Sequence, residues 1–318
     1  MYRVGIDLGG TNIAVGVVDG ENNIIGRGTV KTKAPRPAEE ICDDIAYAVS
    51  LALKDCGKSI NDIEAVGIGA PGSINPKTGV IGFSNNLQFA EVPIVKMLEE
   101  RIGKKVNIDN DANAAALGEM IAGAGKGANN FVAITLGTGV GGGTIIEGKM
   151  LLGSNFAGGE LGHTVIVMDG EPCNCGRKGC WEAYASATAL IRQTKRKVEE
   201  CKSSVMWDLV DGDIDKVNGK TAFDAMRKND KAGTEVVDMY CKYVACGLIN
   251  IINIFQPEIL CIGGGISKEG DNLLSRIVPI VEKDRFSKNI EKQTVVKTAV
   301  LGNDAGIIGA AMLDKIYN

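Results

Sequence analysis

The residues of this chain that are best suited to bind a metal lie together between positions 163 and 180. They are His163, the only histidine, and Cys173, Cys175 and Cys180. Three thiolates and one imidazole are the right number and type of ligand for a tetrahedral structural zinc site. The alternative is a group of free thiols in a loop, which the close spacing of the cysteines disfavours. We therefore predict a closed zinc site that orders a loop and leaves no open position for catalysis.

Two carboxylates frame this cluster. Glu160 lies three residues before His163, and Glu182 lies two residues after Cys180. A loop ordered by zinc would present both acids to a ligand. Because paired polar acceptors suit the neighbouring hydroxyl groups of a sugar, the two glutamates are candidates for binding such a molecule.

Three glycine-rich turns follow predicted strands, and they read "DLGGTN", "LGTGVGGG" and "IGGGIS". Glycine lets backbone N–H groups point at one site without a Cβ in the way, which suits a phosphate. Tight hairpins are the alternative for any single turn, but three such turns at strand ends favour phosphate binding. The first two turns also carry Asp7, Thr11 and Thr138. Hydroxyls, amides and a carboxylate suit a nucleoside triphosphate with its magnesium ion.

The second turn also matches the dinucleotide fingerprint, with glycines at 137, 139 and 142. That fingerprint requires a helix immediately afterwards. Here the following "GTIIEGK" has the pattern of a strand and a hairpin. An NAD-dependent oxidoreductase is therefore a disfavoured alternative.

The segment "IDNDANAAALGE" offers two carboxylates, Asp109 and Asp111, at the end of a predicted strand. Phosphoryl transfer to an alcohol benefits from a carboxylate that accepts the hydroxyl proton. The alternative is an ordinary N-cap for the alanine-rich helix predicted from about Ala112, and it is the simpler interpretation of this segment by itself. A helix N-terminus would also stabilise the charged form of a carboxylate.

An internal repeat predicts the framework that positions these residues. Shifting the chain by 128 residues aligns "IDLG" at 6–9 with "ITLG" at 134–137, and in both copies a second strand and a hairpin follow. A period this long indicates duplicated domains rather than a solenoid. Strands alternate with helical patterns along the rest of the chain, so we predict an α/β protein with two lobes.

Composition disfavours several other classes of protein. The net charge is −4, residues of both signs are mixed along the chain, and there is no basic run. We therefore expect no nucleic-acid partner. The longest apolar stretch, 244–255, is too short to span a bilayer, and the aspartate at position 7 interrupts any signal-peptide core. We therefore expect a cytoplasmic protein without membrane association. Nine cysteines in such a chain are not a disulfide framework, and the six dispersed ones are expected in the core.

Together these motifs resemble those of the ROK family of sugar kinases and regulators, and the resemblance covers nearly the whole chain. "DLGGTN" and "LGTGVGGG" resemble the family's two phosphate motifs, while "ELGHTVI" and "CNCGRKGCWE" resemble its zinc-binding signature. The resemblance implies a duplicated actin-like, ribonuclease-H-like ATPase fold, with ATP and sugar bound in a central cleft between two lobes. It implies a small lobe of residues 1–112 and 303–318, and a large lobe of residues 113–302 with the zinc-binding loop.

The resemblance also assigns roles to individual residues. Asp111 corresponds to the catalytic base, which reverses the preference for capping. The sugar-binding set is Gly69, Gly72, Asn86, Asn110, Glu160, His163 and Glu182. The residues that bind the nucleotide are Asp7, Gly9, Gly10, Thr11, Gly137, Thr138 and Gly139, with Gly263, Gly264 and Gly265 on the adenosine side.

The function implied is ATP-dependent phosphorylation of a hexose, most simply glucose, at its 6-hydroxyl. The implied cofactors are ATP, Mg²⁺ and structural Zn²⁺, and the implied assembly is a homodimer or homotetramer. An N-acetylhexosamine kinase is the main alternative, and Phe89, where the family's glucokinases often carry tryptophan, bears on that choice. A sugar-responsive transcriptional regulator is disfavoured because the first strand begins at residue 2 and leaves no room for a helix-turn-helix module. A sugar-binding protein without catalysis is disfavoured by the presence of Asp7 and Asp111.

Overall fold

The computed structural model describes residues 1–317 and contains strands and helices that alternate along much of the chain. The strands are β1 Tyr2–Leu8, β2 Asn12–Val18, β3 Ile24–Lys31, β4 Ile63–Ala70, β5 Ser73–Asn75, β6 Val80–Ser84, β7 Phe89–Val92, β8 Val106–Asn110, β9 Phe131–Leu136, β10 Val140–Ile146, β11 Lys149–Met150, β12 Ile259–Gly263 and β13 Val295–Thr298. The helices are α1 Ala38–Asp55, α2 Ile94–Ile102, α3 Asp111–Ala122, α4 Glu182–Ala185, α5 Ala187–Glu200, α6 Met206–Leu209, α7 Thr221–Arg227, α8 Lys231–Phe255, α9 Asp271–Asp284, α10 Asp304–Ala311 and α11 Asp314–Tyr317. No helix within residues 1–317 is long and apolar enough to cross a membrane.

Two five-stranded sheets share one strand order. The first is β3-β2-β1-β4-β8, in which β1, β2 and β3 pair antiparallel while β4 and β8 join in parallel. The second is β11-β10-β9-β12-β13. In each sheet three consecutive strands form one side, β1 to β3 in the first and β9 to β11 in the second. Two later strands form the other side, β4 and β8 in the first sheet and β12 and β13 in the second. This common order confirms the predicted duplication and the α/β class. A third, three-stranded sheet, β5-β6-β7, is antiparallel.

The residue contacts divide the chain into two compact units. The first contains Met1–Ala133, Gly142–Gly159 and the segment from Ala299 on, and the second contains Ile134–Gly141 and Glu160–Thr298. The two units differ in their bounds from the two lobes that the resemblance implies, because they are defined by contacts between residues and not by function. The lobe boundaries at residues 112 and 303 therefore stay a prediction.

A row of glycines across the first sheet lets a helix approach the strands closely. Gly5 on β1 is the register partner of both Gly16 on β2 and Gly67 on β4. A Cβ added at Gly5 would overlap the carbonyl oxygen of Ile307, and one added at Gly67 would overlap that of Ala310. The backbone of α10 therefore lies directly on the strands, at a distance that only glycine permits.

Helix α1 covers the opposite face of the same sheet. Its buried side chains include Ile41, Ile45 and Val49, and they join the alternating core residues of β1, such as Val4 and Ile6. Apolar residues at helical spacing on one side and at a period of two on the other are what this packing requires. The face that carries the glycine row is left to α10 and to α3, which packs against α10.

The C-terminal helix pattern is interrupted in the structure. The segment "DAGIIGAAMLDKIYN", residues 304–318, predicts one closing helix, and its last residue lies outside the described residues. In the structure α10 ends at Ala311 and the short α11 begins at Asp314. Met312 and Leu313, between them, are fully buried. The break places the Asp314 carboxylate beside the Arg3 guanidinium, with Nε 3.2 Å from Oδ1. A tertiary ion pair and the burial of two side chains thus override the local helical pattern.

We predict that Gly309→Ala destabilises the protein by about 2 kcal/mol or more, because α3 and α10 touch through their backbones. A Cβ at Gly309 would overlap the carbonyl oxygen of Ala114 on α3. Urea unfolding measures the change. Gly20→Ala is the matched control, since a Cβ there meets nothing within 4 Å. Equal unfolding midpoints for the two variants would contradict this packing.

Candidate functional site

Asp111 is the first residue of α3, directly after β8. The preceding residue, Asn110, is the N-cap, and its side chain accepts a hydrogen bond from the backbone N–H of Ala112 at 2.9 Å. The Asp111 carboxylate also accepts from that N–H, at 2.9 Å. The capping role that the sequence left open therefore belongs to Asn110. Asp111 retains oxygens that can act on a ligand, with a helix N-terminus to stabilise its charge.

A second carboxylate, Asp7, lies close to Asp111 at the end of β1. Burial raises the pKa of Asp7 to about 6, and the negative charge of Asp111 adds to the increase. Burial also raises the pKa of Asp111, against the opposing effect of the Ala112 N–H. Two acids whose charges disfavour each other in this way form a site for a proton or a cation.

The close approach of α3 to the strand ends depends on a glycine. Gly69 on β4 is the register partner of Asp7, and a Cβ added there would lie 3.0 Å from the Cβ of Ala114 and 3.5 Å from the Cα of Asp111. A larger residue at 69 would push the start of α3 away from the sheet. In the structure, Gly69 therefore leaves the space that lets Asp111 lie close to β4.

The predicted sugar-side residues of the first unit lie around the same strand ends. The Asn110 side-chain amide donates to the carbonyl oxygen of Gly72 at 3.2 Å. Gly72 has a φ of +118°, a value that favours glycine. Asn86 is exposed in the turn after β6, and its Cβ lies 3.6 Å from the position of a Cβ on Gly10.

The first glycine-rich turn connects β1 to β2. Gly9 donates its N–H to the carbonyl oxygen of Asn12 at 2.9 Å, and its own carbonyl accepts from the hydroxyl of Thr32 at 2.6 Å. Thr11 is exposed, and its carbonyl accepts from the N–H of Thr32 at 3.0 Å. The turn is therefore held from beneath by Thr32 on the segment after β3, a residue that sequence analysis did not single out.

The second glycine-rich turn, residues 137–139, has a similar internal hydrogen bond, from the N–H of Gly137 to the carbonyl of Gly139 at 3.0 Å. The carbonyl of Gly137 accepts from the N–H of Ala187, and that of Thr138 from the hydroxyl of Thr188, both at 2.8 Å. The turn thus rests on the first residues of α5. The Thr138 side chain in this turn is exposed.

The third turn, at residues 263–265, lies against the end of β9. Gly264 has a φ of +85°, and a Cβ there would lie 2.5 Å from the carbonyl oxygen of Leu136. Gly264 and Gly265 are exposed. The structure therefore brings together, within the second unit, the second and third turns that the sequence singled out.

The four predicted metal ligands converge. Their donor atoms all lie within 4.8 Å of one another. The Sγ of Cys173 is 3.6 Å from Nδ1 of His163, and the Sγ atoms of Cys175 and Cys180 are also 3.6 Å apart. Zinc–sulfur bonds of about 2.3 Å in a tetrahedron imply sulfur–sulfur distances of about 3.8 Å. The residues therefore fit a tetrahedral ion with soft ligands.

Glu182 connects this cluster to the second glycine-rich turn. One of its carboxylate oxygens accepts from the N–H of Val140 at 3.0 Å, and the other lies 3.7 Å from the Sγ of Cys173. A Cβ at Gly139 would overlap the first of these oxygens. Glu160 is exposed and precedes the short 3₁₀ helix that ends with His163. Both framing glutamates are thus placed by the loop that the metal ligands organise.

Trp181 anchors the loop that carries the predicted metal ligands to the core of the second unit. Its ring is fully buried, and its Nε1–H donates to the carbonyl oxygen of Tyr243 on α8 at 2.8 Å. A Cβ at Gly247 would overlap the indole, so the ring lies directly on the helix backbone. Sequence analysis did not assign this role. A large aromatic residue adjacent to the ligand Cys180 was the available signal.

Comparison with known proteins identifies relatives over the whole chain. The ROK family model matches residues 3–316. The glucokinase of Streptomyces coelicolor is 39% identical over 314 residues, which are 98% of this chain and 97% of that protein. The glucokinase of Thermotoga maritima is 39% identical over 315 residues, 98% of this chain and 96% of that protein. The structure of the ROK glucokinase of Streptomyces griseus, solved with glucose and AMPPNP, matches with a TM-score of 0.81 and 37% identity. The match covers 98% of this chain and 99% of that protein. These likenesses confirm the family resemblance and the fold class.

We predict that the purified protein contains about one zinc ion per chain, because three thiolates and an imidazole converge at tetrahedral distances. Cys175→Ser should lose most of the zinc and lower the melting temperature. Cys201→Ser, which changes a thiol outside the cluster, is the matched control and should keep both. Mass spectrometry of the metal content decides. Full zinc content in the Cys175→Ser variant would contradict the assignment.

We predict that Asp7→Asn raises the melting temperature at pH 7.5 by about 2 to 5 °C, because it removes a partly buried charge that Asp111 repels. The pKa of Asp7 is raised in the folded state, so the ionised group costs stability as the pH rises from 3.8 through about 6. The advantage of the variant should therefore fall by roughly two thirds at pH 4.5 and vanish only well below pH 3.8, where Asp7 is protonated in both the folded and the unfolded state. Scanning calorimetry at both pH values measures it. A variant less stable than the natural protein at pH 7.5 would contradict the repulsion.

Proposed function

Since this chain belongs to the ROK family, we propose that it is an ATP-dependent kinase that transfers the γ-phosphoryl group of ATP to the 6-hydroxyl of a hexose, with glucose as its main substrate. The observation that carries the proposal is the pair of carboxylates at the strand ends of the first unit, Asp111 at a helix N-terminus with Asp7 beside it. The glucokinase relatives, at 39% identity over 98% of the chain, support the choice of substrate.

In the proposed mechanism Asp111 is the general base. The 6-hydroxyl of the sugar gives its proton to the Asp111 carboxylate as its oxygen attacks the γ-phosphorus. Burial raises the pKa of Asp111 above the usual range for aspartate, which brings its proton affinity closer to the operating pH. The N–H of Ala112 at the start of α3 holds the carboxylate in place. Positioning and proton acceptance are the main tasks of the protein in such a reaction.

Backbone N–H groups of the glycine-rich turns are proposed to bind the nucleotide. The N–H groups of Gly10 and Thr11 would take phosphate oxygens, as would those of Thr138 and Gly139. Gly9 and Gly137 donate their own N–H groups within the turns, so these two glycines would shape the turns around the phosphates. Residues 263–265 would lie on the adenosine side. Glycine in these turns removes the Cβ atoms that would stand in the way of a phosphate, and Thr11 and Thr138 add exposed hydroxyl donors.

Asp7 fits a role towards Mg²⁺. A hard divalent cation prefers carboxylate oxygens, and the mutual repulsion of Asp7 and Asp111 marks a place where positive charge is favoured. When bound, Mg²⁺ would neutralise the charge that develops on the phosphate oxygens. Asp7 would hold the ion, either directly or through water.

The proposed sugar-binding residues are those that the family resemblance assigns. Asn86 and Asn110 of the first unit offer amides, and Glu160, His163 and Glu182 of the second offer acceptors. Nδ1 of His163 lies 3.6 Å from the Sγ of Cys173, so Nε2 would be available to a sugar hydroxyl. Gly69 and Gly72 shape the strand ends beside Asn110. The structural zinc would order the loop that carries the two glutamates.

The assembly and the location of the protein are expectations from its family and its composition. A homodimer or homotetramer is expected from the family resemblance, and a cytoplasmic location is expected from the composition of the chain. Both stay predictions.

The direct test of the proposed function is a coupled assay of ADP release with glucose, mannose, fructose, N-acetylglucosamine and N-acetylmannosamine. Glucose should give the highest kcat/KM. Asp111→Asn should lower kcat by about 10² to 10⁴-fold, because the general base is lost, while glucose still binds with nearly unchanged affinity. Asp284→Asn, which neutralises an exposed carboxylate at the end of α9, is the control and should be fully active. Retained turnover in the Asp111→Asn variant would exclude its role as base, and preference for an N-acetylhexosamine would exclude glucose as main substrate.

A further inference from the structure

A third carboxylate, Asp109, lies two residues before Asp111 and is completely enclosed. It is 1% exposed and is the penultimate residue of β8. Its Oδ1 accepts hydrogen bonds from the N–H of Asn110 at 2.7 Å and from the side-chain amide of Asn113 at 3.0 Å. Asn113 is itself buried in the first turn of α3. One carboxylate oxygen therefore ties the end of a strand to the start of a helix, and Asp111 lies between the two donors.

The other oxygen of Asp109 binds a residue from the far end of the chain. Oδ2 accepts a short hydrogen bond from the hydroxyl of Tyr317 on α11. Burial and the charge of Asp109 raise the pKa of this tyrosine, so the hydroxyl keeps its proton and acts as the donor. Its helix is fixed at its other end by the ion pair between Asp314 and Arg3, whose side chains are only 15% and 10% exposed. The ion pair thus fixes α11 in a position from which the Tyr317 hydroxyl reaches Asp109.

We propose that Asp109 and Tyr317 are positioning residues that hold Asp111 in its catalytic geometry. This inference rests on the proposed function, since it takes Asp111 as the base. Asp109 is too buried to touch a substrate, so any effect on the reaction passes through the backbone of residues 110–113. Misplacement of a base by a fraction of an ångström lowers the rate strongly without weakening the binding of the substrate.

The role of the tyrosine hydroxyl follows from the charge of the group that it contacts. A buried carboxylate needs donors on both oxygens, and a hydrogen bond to a charged group is stronger than one between neutral groups. Without the hydroxyl, Oδ2 would lack a donor that the structure supplies to it. The carboxylate would then reorient or take up a proton, and both changes would weaken its hold on Asn110 and Asn113.

The test is Tyr317→Phe, which deletes only the hydroxyl. We expect kcat for the hexose to fall about tenfold with KM changed less than twofold, because alignment is lost and binding is not. We also expect amide hydrogen exchange of residues 110–113 to become about tenfold faster. Tyr47→Phe is the matched control, since Tyr47 is 57% exposed and the same atom is removed.

The two measurements separate this inference from the proposed function. If the natural protein phosphorylates no hexose, the proposed function fails, and faster exchange at 110–113 in Tyr317→Phe alone decides whether the clamp exists. If the natural protein is an active kinase, equal kcat and equal exchange in Tyr317→Phe and Tyr47→Phe would overturn the clamp. A rise in KM without a fall in kcat would overturn it as well, since it would place Tyr317 in substrate binding.

Discussion

Two partly buried carboxylates, Asp7 and Asp111, repel each other at the strand ends of the first sheet. Burial removes water from the Asp7 carboxylate and raises its pKa to about 6, and the negative charge of Asp111, which water would otherwise weaken, adds to the increase. The protein therefore maintains a place where a proton, a metal ion or a positively charged group is favoured. Ligand binding at this place would relieve an unfavourable interaction that folding creates, which is a frequent arrangement at sites that trade stability for activity.

The repulsion exists because glycines allow helices to lie on the sheet at backbone distance. The row formed by Gly5, Gly16 and Gly67 admits α10, and Gly69 admits the start of α3. Asp7 lies at the end of the strand that carries Gly5, so the same close packing that stabilises the unit also removes water from its carboxylate. Core packing and the electrostatics of the site are thus consequences of one set of small residues.

Much of this arrangement could be predicted from the sequence because the relevant interactions are local. The four predicted metal ligands lie within residues 163–180, and the glycine-rich turns directly follow their strands. Residue type and spacing were therefore sufficient to group them. The 128-residue repeat predicted two sheets with one strand order. Assignment of the cap was beyond local pattern, because Asn110 and Asp111 both suit it and only the geometry separates them.

The features that sequence analysis missed depend on contacts between distant segments. The hydrogen bond from Tyr317 to Asp109 spans 208 residues, and the break in the last helix depends on the ion pair of Asp314 with Arg3. The contact of Trp181 with the backbone of α8 at Gly247 is of the same kind. Nothing in the local pattern around these residues specifies their partners.

The most direct test of the electrostatic account is an NMR titration of the ¹³C-labelled carboxyl group of Asp7, in the natural protein and in Asp111→Asn. We expect a pKa of about 6 for Asp7 in the natural protein and a lower pKa when the neighbouring charge is removed. A pKa near that of an ordinary aspartate, or one that does not change in the variant, would contradict it.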